Sequence, residues 1–223
     1  MTRYIQRHSL FARLVHGTVA VSCFFLILSG FVVFVPAIAQ AVGDGFVSFL
    51  RLLHRVFAVS FIVAPLVGLI LAPKGFAHIM KNLTAKWDAD DKKFMMLFPK
   101  YMFAPKTTHM PPQHEVKSGQ RLADAALLLA SLAIAVSGVI LWAAKFVSPQ
   151  VFQMALLTHD IAFFAIAIIM CAHLYLGAGV FQPYRGLITL MFGNGQVAEG
   201  PALYHWGYWA EEELASGKNV IEK

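Results

Sequence analysis

The sequence contains few charged residues. Only 13% of its 223 residues are Asp, Glu, Lys or Arg, whereas 58% are hydrophobic, and the mean hydropathy is +0.65. A typical soluble domain has about one charged residue in four. This composition excludes an ordinary soluble domain and predicts a chain that lies in a membrane.

Cysteine is also scarce. The chain has only Cys23 and Cys171, and neither belongs to a Cys-x-x-Cys-His motif or to a cluster of cysteines. Covalent attachment of a c-type haem and ligation of an iron–sulfur cluster by this chain are therefore excluded. Because the two cysteines fall at different depths of their predicted helices, we expect two buried, small apolar side chains rather than a disulfide.

Four long apolar stretches predict membrane-spanning helices. They are residues 14–35, 50–72, 123–143 and 152–177. Backbone groups in lipid must form their hydrogen bonds within their own segment, so the expected fold is an all-α, integral membrane four-helix bundle. We expect one membrane domain over residues 1–223, with a connection at 73–122 and an interfacial C-terminal tail at 183–223.

Basic residues are distributed unevenly along the chain. Three arginines precede the first span and nine lysines and arginines lie in 73–122, whereas the other two connections carry only Arg51, Arg55 and Lys145. The positive-inside rule then places both termini and the 73–122 connection in the cytoplasm of a bacterial inner membrane. The net charge of +6 is explained by this topology and by contact with anionic lipid, and we expect no nucleic-acid partner.

Two histidines mark one face of the last span. His159 and His173 are fourteen residues apart, which is nearly four helical turns. Their imidazoles therefore leave the same face about 21 Å apart along the axis. The predicted topology places His159 near the periplasmic surface and His173 near the cytoplasmic surface, where ionisable groups are rare and usually functional.

Two further histidines match these depths. His54 begins the second span at the periplasmic side, and His16 lies about one turn into the first span from the cytoplasmic side. The sequence thus predicts two pairs, His54 with His159 and His16 with His173. Two neutral imidazoles suit a six-coordinate electron-transfer haem, so we expect two b haems with these four histidines as iron ligands.

Other interpretations of these residues are weaker. Buried, hydrogen-bonded core histidines would explain single positions, and one metal ion cannot be shared because the pairs are too far apart. Gly30 and Gly138 each follow a serine, at Ser29 and Ser137, and either admit a porphyrin edge or pack helices together. The remaining histidines are expected to be solvated or interfacial; they are His8, His78, His109, His114 and His205.

Short motifs in a fixed order resemble the cytochrome b (gamma) subunit of membrane-bound respiratory formate dehydrogenase. They are Arg13-Leu14-Val15-His16, Leu28-Ser29-Gly30-Phe31, Phe34-Val35-Pro36, Leu53-His54-Arg55, Gly119-Gln120, Leu157-Thr158-His159 and Ala172-His173-Leu174-Tyr175. The resemblance covers most of the chain. It implies two b haems bound by the same four histidines, in a subunit that does not itself oxidise formate.

The resemblance also implies partners and a quinone. Electrons would come from an iron–sulfur (beta) subunit, fed by a molybdenum- or tungsten-containing catalytic (alpha) subunit, in trimers of heterotrimers. Menaquinone or ubiquinone would be reduced near Gly119, Gln120 and His173. The family motif Asn-Ala-Gly-Gln-Lys reads Lys117-Ser118-Gly119-Gln120-Arg121 here, and these residues equally suit the start of the third helix.

Two other functions compete with this interpretation. The same haem arrangement would serve the cytochrome b subunit of another quinone-linked complex, such as nickel–iron hydrogenase or thiosulfate reductase. A more distant alternative is a haem-free membrane transporter. The 73–122 connection is longer than two helices need, so it either covers the quinone site or docks another subunit. The aromatic tail either anchors the chain at the interface or contacts a partner.

Overall fold

The computed structural model describes residues 2–182 and 184–223, which are mainly helical. The elements in chain order are β1 (Arg3–Gln6), α1 (Leu10–Phe34), α2 (Pro36–Val42), α3 (Asp44–Leu71), α4 (Pro73–Leu83), α5 (Ala89–Phe103), α6 (Ser118–Trp142), a 3-10 turn (Ala144–Phe146), α7 (Pro149–Gly177), α8 (Thr189–Phe192), β2 (Gln196–Ala198), α9 (Glu199–His205), α10 (Gly207–Ser216) and β3 (Val220–Glu222).

The four predicted spans are confirmed as α1, α3, α6 and α7, each long and apolar enough to cross a membrane. Every helix begins a few residues before the predicted span. The start of α3 shows why, because Gly43 precedes it with a φ of 82°, a conformation that favours glycine and ends α2. Asp44 then lies in the first turn of α3, where a carboxylate stabilises the helix by interacting with the positive end of its dipole.

The chain divides into two compact units. One, here called the helical unit, comprises Phe11–Pro73 and Ala130–Ile168. The other, here called the sheet unit, comprises Met1–Leu10, Lys74–Leu129 and Ile169–Lys223. The helices α1, α6 and α7 contribute residues to both units, whereas α3 lies within the helical unit.

Aromatic contacts join the helices within the helical unit. Phe25 of α1 stacks on Phe57 of α3, with ring centroids 4.5 Å apart, and Phe34 of α1 meets Phe164 of α7 edge-on at 5.3 Å. Such ring pairs each add about 0.5–1.5 kcal/mol beyond the area that they bury. They fix the rotation of α1 against α3 and α7, and so decide which residues face the interior.

The sheet unit is built around a small antiparallel sheet with the strand order β2-β1-β3. Ile5 is fully buried at its centre and pairs with Val197 on one side and Val220 on the other. Trp206 and Trp209 of the tail pack into the same core. The tail is thus a folded part of this unit, and two of its rings lie in protein.

The 73–122 connection contains two helices, α4 and α5. Asp88 caps α5 by accepting a hydrogen bond from the Asp91 backbone N–H at 2.7 Å, and the Asp91 carboxylate accepts one from Asp88 N–H. Asp91 also accepts a hydrogen bond from Ser118 Oγ at 2.8 Å and pairs with buried Arg121. This network joins α5 to the first turn of α6.

Candidate functional site

The structure places His54 of α3 beside His159 of α7 in the helical unit. Their ring centroids are 6.3 Å apart and the rings are inclined at 57°. Two leucines closely precede each histidine, Leu52 and Leu53 in α3 and Leu156 and Leu157 in α7, so both imidazoles follow apolar residues about three turns into their helices. The two side chains were predicted to lie at the same depth in the membrane, and in the structure they are neighbours.

A serine on α1 fixes the tautomer of His54. The Ser29 hydroxyl donates its single proton to the carbonyl of Phe25, one turn earlier, at 2.6 Å. The same oxygen lies 2.8 Å from His54 Nδ1, and with its proton directed to the carbonyl it would accept a proton from Nδ1. In that tautomer Nε2 keeps the lone pair that binds a metal.

The same arrangement recurs at His159. Ser137 of α6 donates to the Ala133 carbonyl at 2.7 Å, and its oxygen lies 3.1 Å from His159 Nδ1. In the same tautomer His159 Nε2 also keeps its lone pair. The Ser29-Gly30 pair of α1 contacts His54 of α3, and the Ser137-Gly138 pair of α6 contacts His159 of α7. The two Ser-Gly pairs of the sequence therefore have the same structural role.

Each glycine of these pairs lies directly against an imidazole. A Cβ on Gly138 would approach His159 Cε1 to 3.3 Å, and one on Gly30 would lie 3.6 Å from His54 Cε1 and 3.7 Å from Phe163. The two glycines therefore let the histidine rings pack flat on the helix backbones. Approach of a porphyrin edge at these positions stays a prediction.

The pair fits a haem iron held by two histidines. Two imidazoles on opposite faces of one metal ion have ring centres about 6 Å apart, because each metal–nitrogen bond is about 2.0 Å long. The observed 6.3 Å matches this spacing. Each Nδ1 atom lies within hydrogen-bond distance of a serine hydroxyl, which is the arrangement expected of histidines that bind a metal through Nε2.

The other two predicted ligands belong to different units. His16 lies in α1 within the helical unit, and His173 lies near the end of α7 within the sheet unit. A Cβ on Gly177 would meet His173 Cε1 at 3.5 Å, so this histidine also packs against a glycine. The pairing of His16 with His173 stays a prediction.

The predicted quinone residues lie in the sheet unit. Gly119 and Gln120 are in the first turn of α6, where Gly119 packs against Phe94 and Met95. Gln120 Nε2 donates to Asp124 Oδ2 at 3.4 Å, and Asp124 interacts electrostatically with His173.

Asp124 thus has a hydrogen bond with Gln120 and lies within electrostatic range of His173. It was not among the residues predicted to be functional. The available signal was a carboxylate one turn after Gln120, inside an otherwise apolar span.

Two expectations are wrong. His205 was expected to be solvated or interfacial, but it is buried in α9 with 6% of its surface exposed, and its ring stacks on Tyr184 at 4.7 Å. Cys171 was expected to be buried like Cys23, but it lies on the exposed surface of α7. The burial of His205 follows from its packing in the sheet unit, and the exposure of Cys171 follows from the rotation of α7; apolar composition alone reveals neither. His78, His109 and His114 are exposed, as expected.

The family model described as prokaryotic cytochrome b561 matches residues 7–194 of the chain. A search of the curated proteins found no match. The matched region contains all four predicted ligands and both Ser-Gly pairs. The chain therefore belongs to the prokaryotic cytochrome b561 family, as a multi-pass protein of the bacterial inner membrane that binds haem b and transfers electrons.

Proposed function

We propose that the chain is the dihaem cytochrome b subunit of a respiratory formate dehydrogenase. It accepts electrons from a periplasmic iron–sulfur (beta) subunit, which is reduced by a molybdenum- or tungsten-containing (alpha) subunit that oxidises formate. The electrons leave to a quinone on the cytoplasmic side. Bound haem b supplies a reversible one-electron iron couple.

The observation that carries the proposal is the His54–His159 pair with both Nδ1 atoms anchored by serine. Two imidazole ligands fill both axial positions of an iron and leave none for a substrate. The rigid surroundings of the rings also suit electron transfer, because the ligands need not move between oxidation states. This geometry favours a conduit over an oxygen-activating or substrate-binding haem.

A second haem is supported by the spacing along α7. His173 follows His159 by fourteen residues of continuous helix, so its imidazole leaves the same face about 21 Å further along. His16 is the ligand proposed to complete that site. The basic 73–122 connection supports a cytoplasmic position for this end, by the positive-inside rule.

Quinone is proposed to bind near Gln120, Gly119 and His173. Gln120 can donate a hydrogen bond to a quinone carbonyl. Gly119 adds no side chain at this position. Asp124 holds the Gln120 amide and lies within electrostatic range of His173, which supports a functional connection between the motif and the histidine.

Purification of the chain with its native partners tests the proposal. We expect two b haems per chain in a pyridine haemochrome assay, and formate-dependent quinone reduction by a complex that contains molybdenum or tungsten. Copurification with a nickel–iron subunit would instead assign the chain to a hydrogenase. A chain without b haem would refute the electron conduit.

Removing either anchoring serine should weaken haem binding. S29A deprives His54 Nδ1 of its acceptor, and S137A does the same for His159, so each ring loses its fixed tautomer and orientation. Loss of such a partner typically costs at least about tenfold in metal affinity. Haem content after dilution in detergent measures the effect.

S60A is the matched control for these variants. Ser60 also donates to a carbonyl one turn earlier, on α3, but it is half-buried and has no hydrogen bond to a histidine in the described structure. Equal haem loss in S29A, S137A and S60A would contradict an anchoring role.

A further inference from the structure

A cavity of about 440 Å³ lies within the sheet unit, beside α5, α9 and the chain that leads into α6. Its buried wall includes the side chains of Tyr101, Lys117, Tyr184 and His205. No acidic residue lines it in the described part of the chain. A polar cavity without a carboxylate, next to a buried amine, is suited to a ligand that brings negative charge.

Lys117 is the central residue of this wall. Only 8% of its surface is exposed, and Nζ donates to Tyr184 Oη at 3.3 Å and lies 3.2 Å from His205 Nδ1. The amine also lies over the Tyr184 and Trp206 rings, at 4.4 Å and 5.1 Å from their centroids. Burial, together with the positive charge of Arg7, lowers the pKa of Lys117 well below its usual range.

Arg7 adds a second buried positive charge nearby. Its guanidinium lies 4.1 Å from the Trp206 centroid and 4.6 Å from that of Trp209, and it donates to the Glu115 backbone carbonyl. Burial lowers the pKa of Arg7 to about 10, and the Glu115 carboxylate opposes that shift. The Glu115 carboxylate also lies 2.7 Å from His78 Nε2.

Three tyrosine hydroxyls extend the polar wall. They belong to Tyr101, Tyr184 and Tyr204; burial raises the pKa of Tyr101 well above its usual range and that of Tyr184 to about 12. The phenols of Tyr101 and Tyr184 therefore remain protonated and can donate hydrogen bonds. Exposed Lys106 also lines the cavity and places a positive charge at its rim.

We propose that this cavity binds an oxyanion of the phosphate type, with Lys117 as the counter-charge and tyrosine hydroxyls as hydrogen-bond donors. The anion has two potential sources, a free solute or the phosphate of an anionic phospholipid. Both present the same group, a tetrahedral centre with negatively charged oxygens. The site is separate from the His54–His159 pair and does not depend on the proposed respiratory partner.

Binding at this site is coupled to protonation. The bound anion favours the ammonium form of Lys117, so an anion that binds above the lowered pKa also takes up a proton. Apparent affinity should therefore fall as pH rises through the range above that pKa. The titratable groups around the amine are Arg7, Tyr101, Tyr184, Tyr204 and His205, and burial keeps Tyr101 and Tyr184 neutral over this range.

Sodium sulfate is a suitable probe, because sulfate has the required shape and does not titrate near neutral pH. The full haem-loaded chain is placed in nanodiscs of phosphatidylcholine, which has no net charge. We expect a saturable rise in melting temperature relative to sodium chloride at equal ionic strength, as for any ligand that binds only the folded state. The rise should become smaller as pH increases.

The variant K117M keeps most of the side-chain length and removes the charge, so it should abolish the saturable response and its pH dependence. K93M is the matched control, since Lys93 is an exposed lysine of α5 outside the cavity. Sulfate stabilises proteins in general by exclusion from their surfaces, and K93M corrects for that effect. K106M removes an exposed charge at the rim, cannot disrupt the buried wall, and should weaken binding about threefold.

Nanodiscs that contain phosphatidylglycerol distinguish the two sources. If lipid phosphate occupies the cavity, these discs raise the melting temperature of the wild type and of K93M but not that of K117M. Sulfate then causes no further rise. If the ligand is a free solute, the sulfate response is the same in both kinds of disc. The proposal is overturned if K117M and K106M respond to sulfate and to phosphatidylglycerol as the wild type does.

Discussion

Replacing His54 by alanine is expected to remove one of two b haems and to leave the other in place. The ring centroids of His54 and His159 are 6.3 Å apart, and the two imidazoles would bind one iron between them. Loss of either histidine would therefore leave that iron with one ligand fewer. The pyridine haemochrome content should fall from two haems per chain to about one. A redox titration should lose one of its two waves.

The partner variant and the double variant sharpen this test. H159A should give the same spectrum as H54A, and the double variant should lose no more haem than either single variant, because both residues would serve one site. H114A is the control, since His114 is exposed and bonded to Asp88. Loss of both haems from the double variant, with the fold intact, would show that the pairs are assigned incorrectly.

Replacing Asp91 by alanine should destabilise the sheet unit by about 3–5 kcal/mol, since it leaves the buried Arg121 guanidinium without its carboxylate. The exposed fractions of the two side chains are 2% and 5%. Asp91 also accepts the hydroxyl of Ser118, so the variant breaks the link between α5 and α6. Denaturant unfolding followed by tryptophan fluorescence measures the loss, and Trp87 beside Arg121 reports on this region.

An exposed ion pair provides the matched control for D91A. Arg3 and Glu199 form a pair whose side chains are 45% and 29% exposed, so E199A should cost about 0–1 kcal/mol. The double variant D91A/R121M, which removes both buried charges, should recover part of the stability lost in D91A. Equal destabilisation by D91A and E199A would mean that the buried pair contributes no more than a surface pair.

The four spans and the level of His54 with His159 could be predicted from sequence for a simple physical reason. A membrane fixes helix length and depth, so position along the chain becomes position across the bilayer. The serines that hold the two histidines could not be assigned in that way. Their contacts depend on helix rotation, which is set by ring packing such as that of Phe25 on Phe57.

The sheet unit illustrates a second limit of sequence reasoning. The strands have three or four residues, too few to show a clear alternation of apolar and polar side chains. β1 pairs with strands that lie about 190 and 215 positions later in the chain, and no local signal indicates such pairing. The burial of Lys117 and His205 follows from that long-range assembly, which is why both appeared in sequence as ordinary polar positions.

The pairing of β1 with β2 and β3 also sets an order for biosynthesis. Ile5 is synthesised before the four long helices, yet its partners Val197 and Val220 leave the ribosome only after those helices have been synthesised. Until then β1 is an unpaired strand edge of the kind that chaperones protect. Closure of the sheet therefore requires translation as far as β3, and a product truncated before residue 196 keeps β1 open to quality-control proteases.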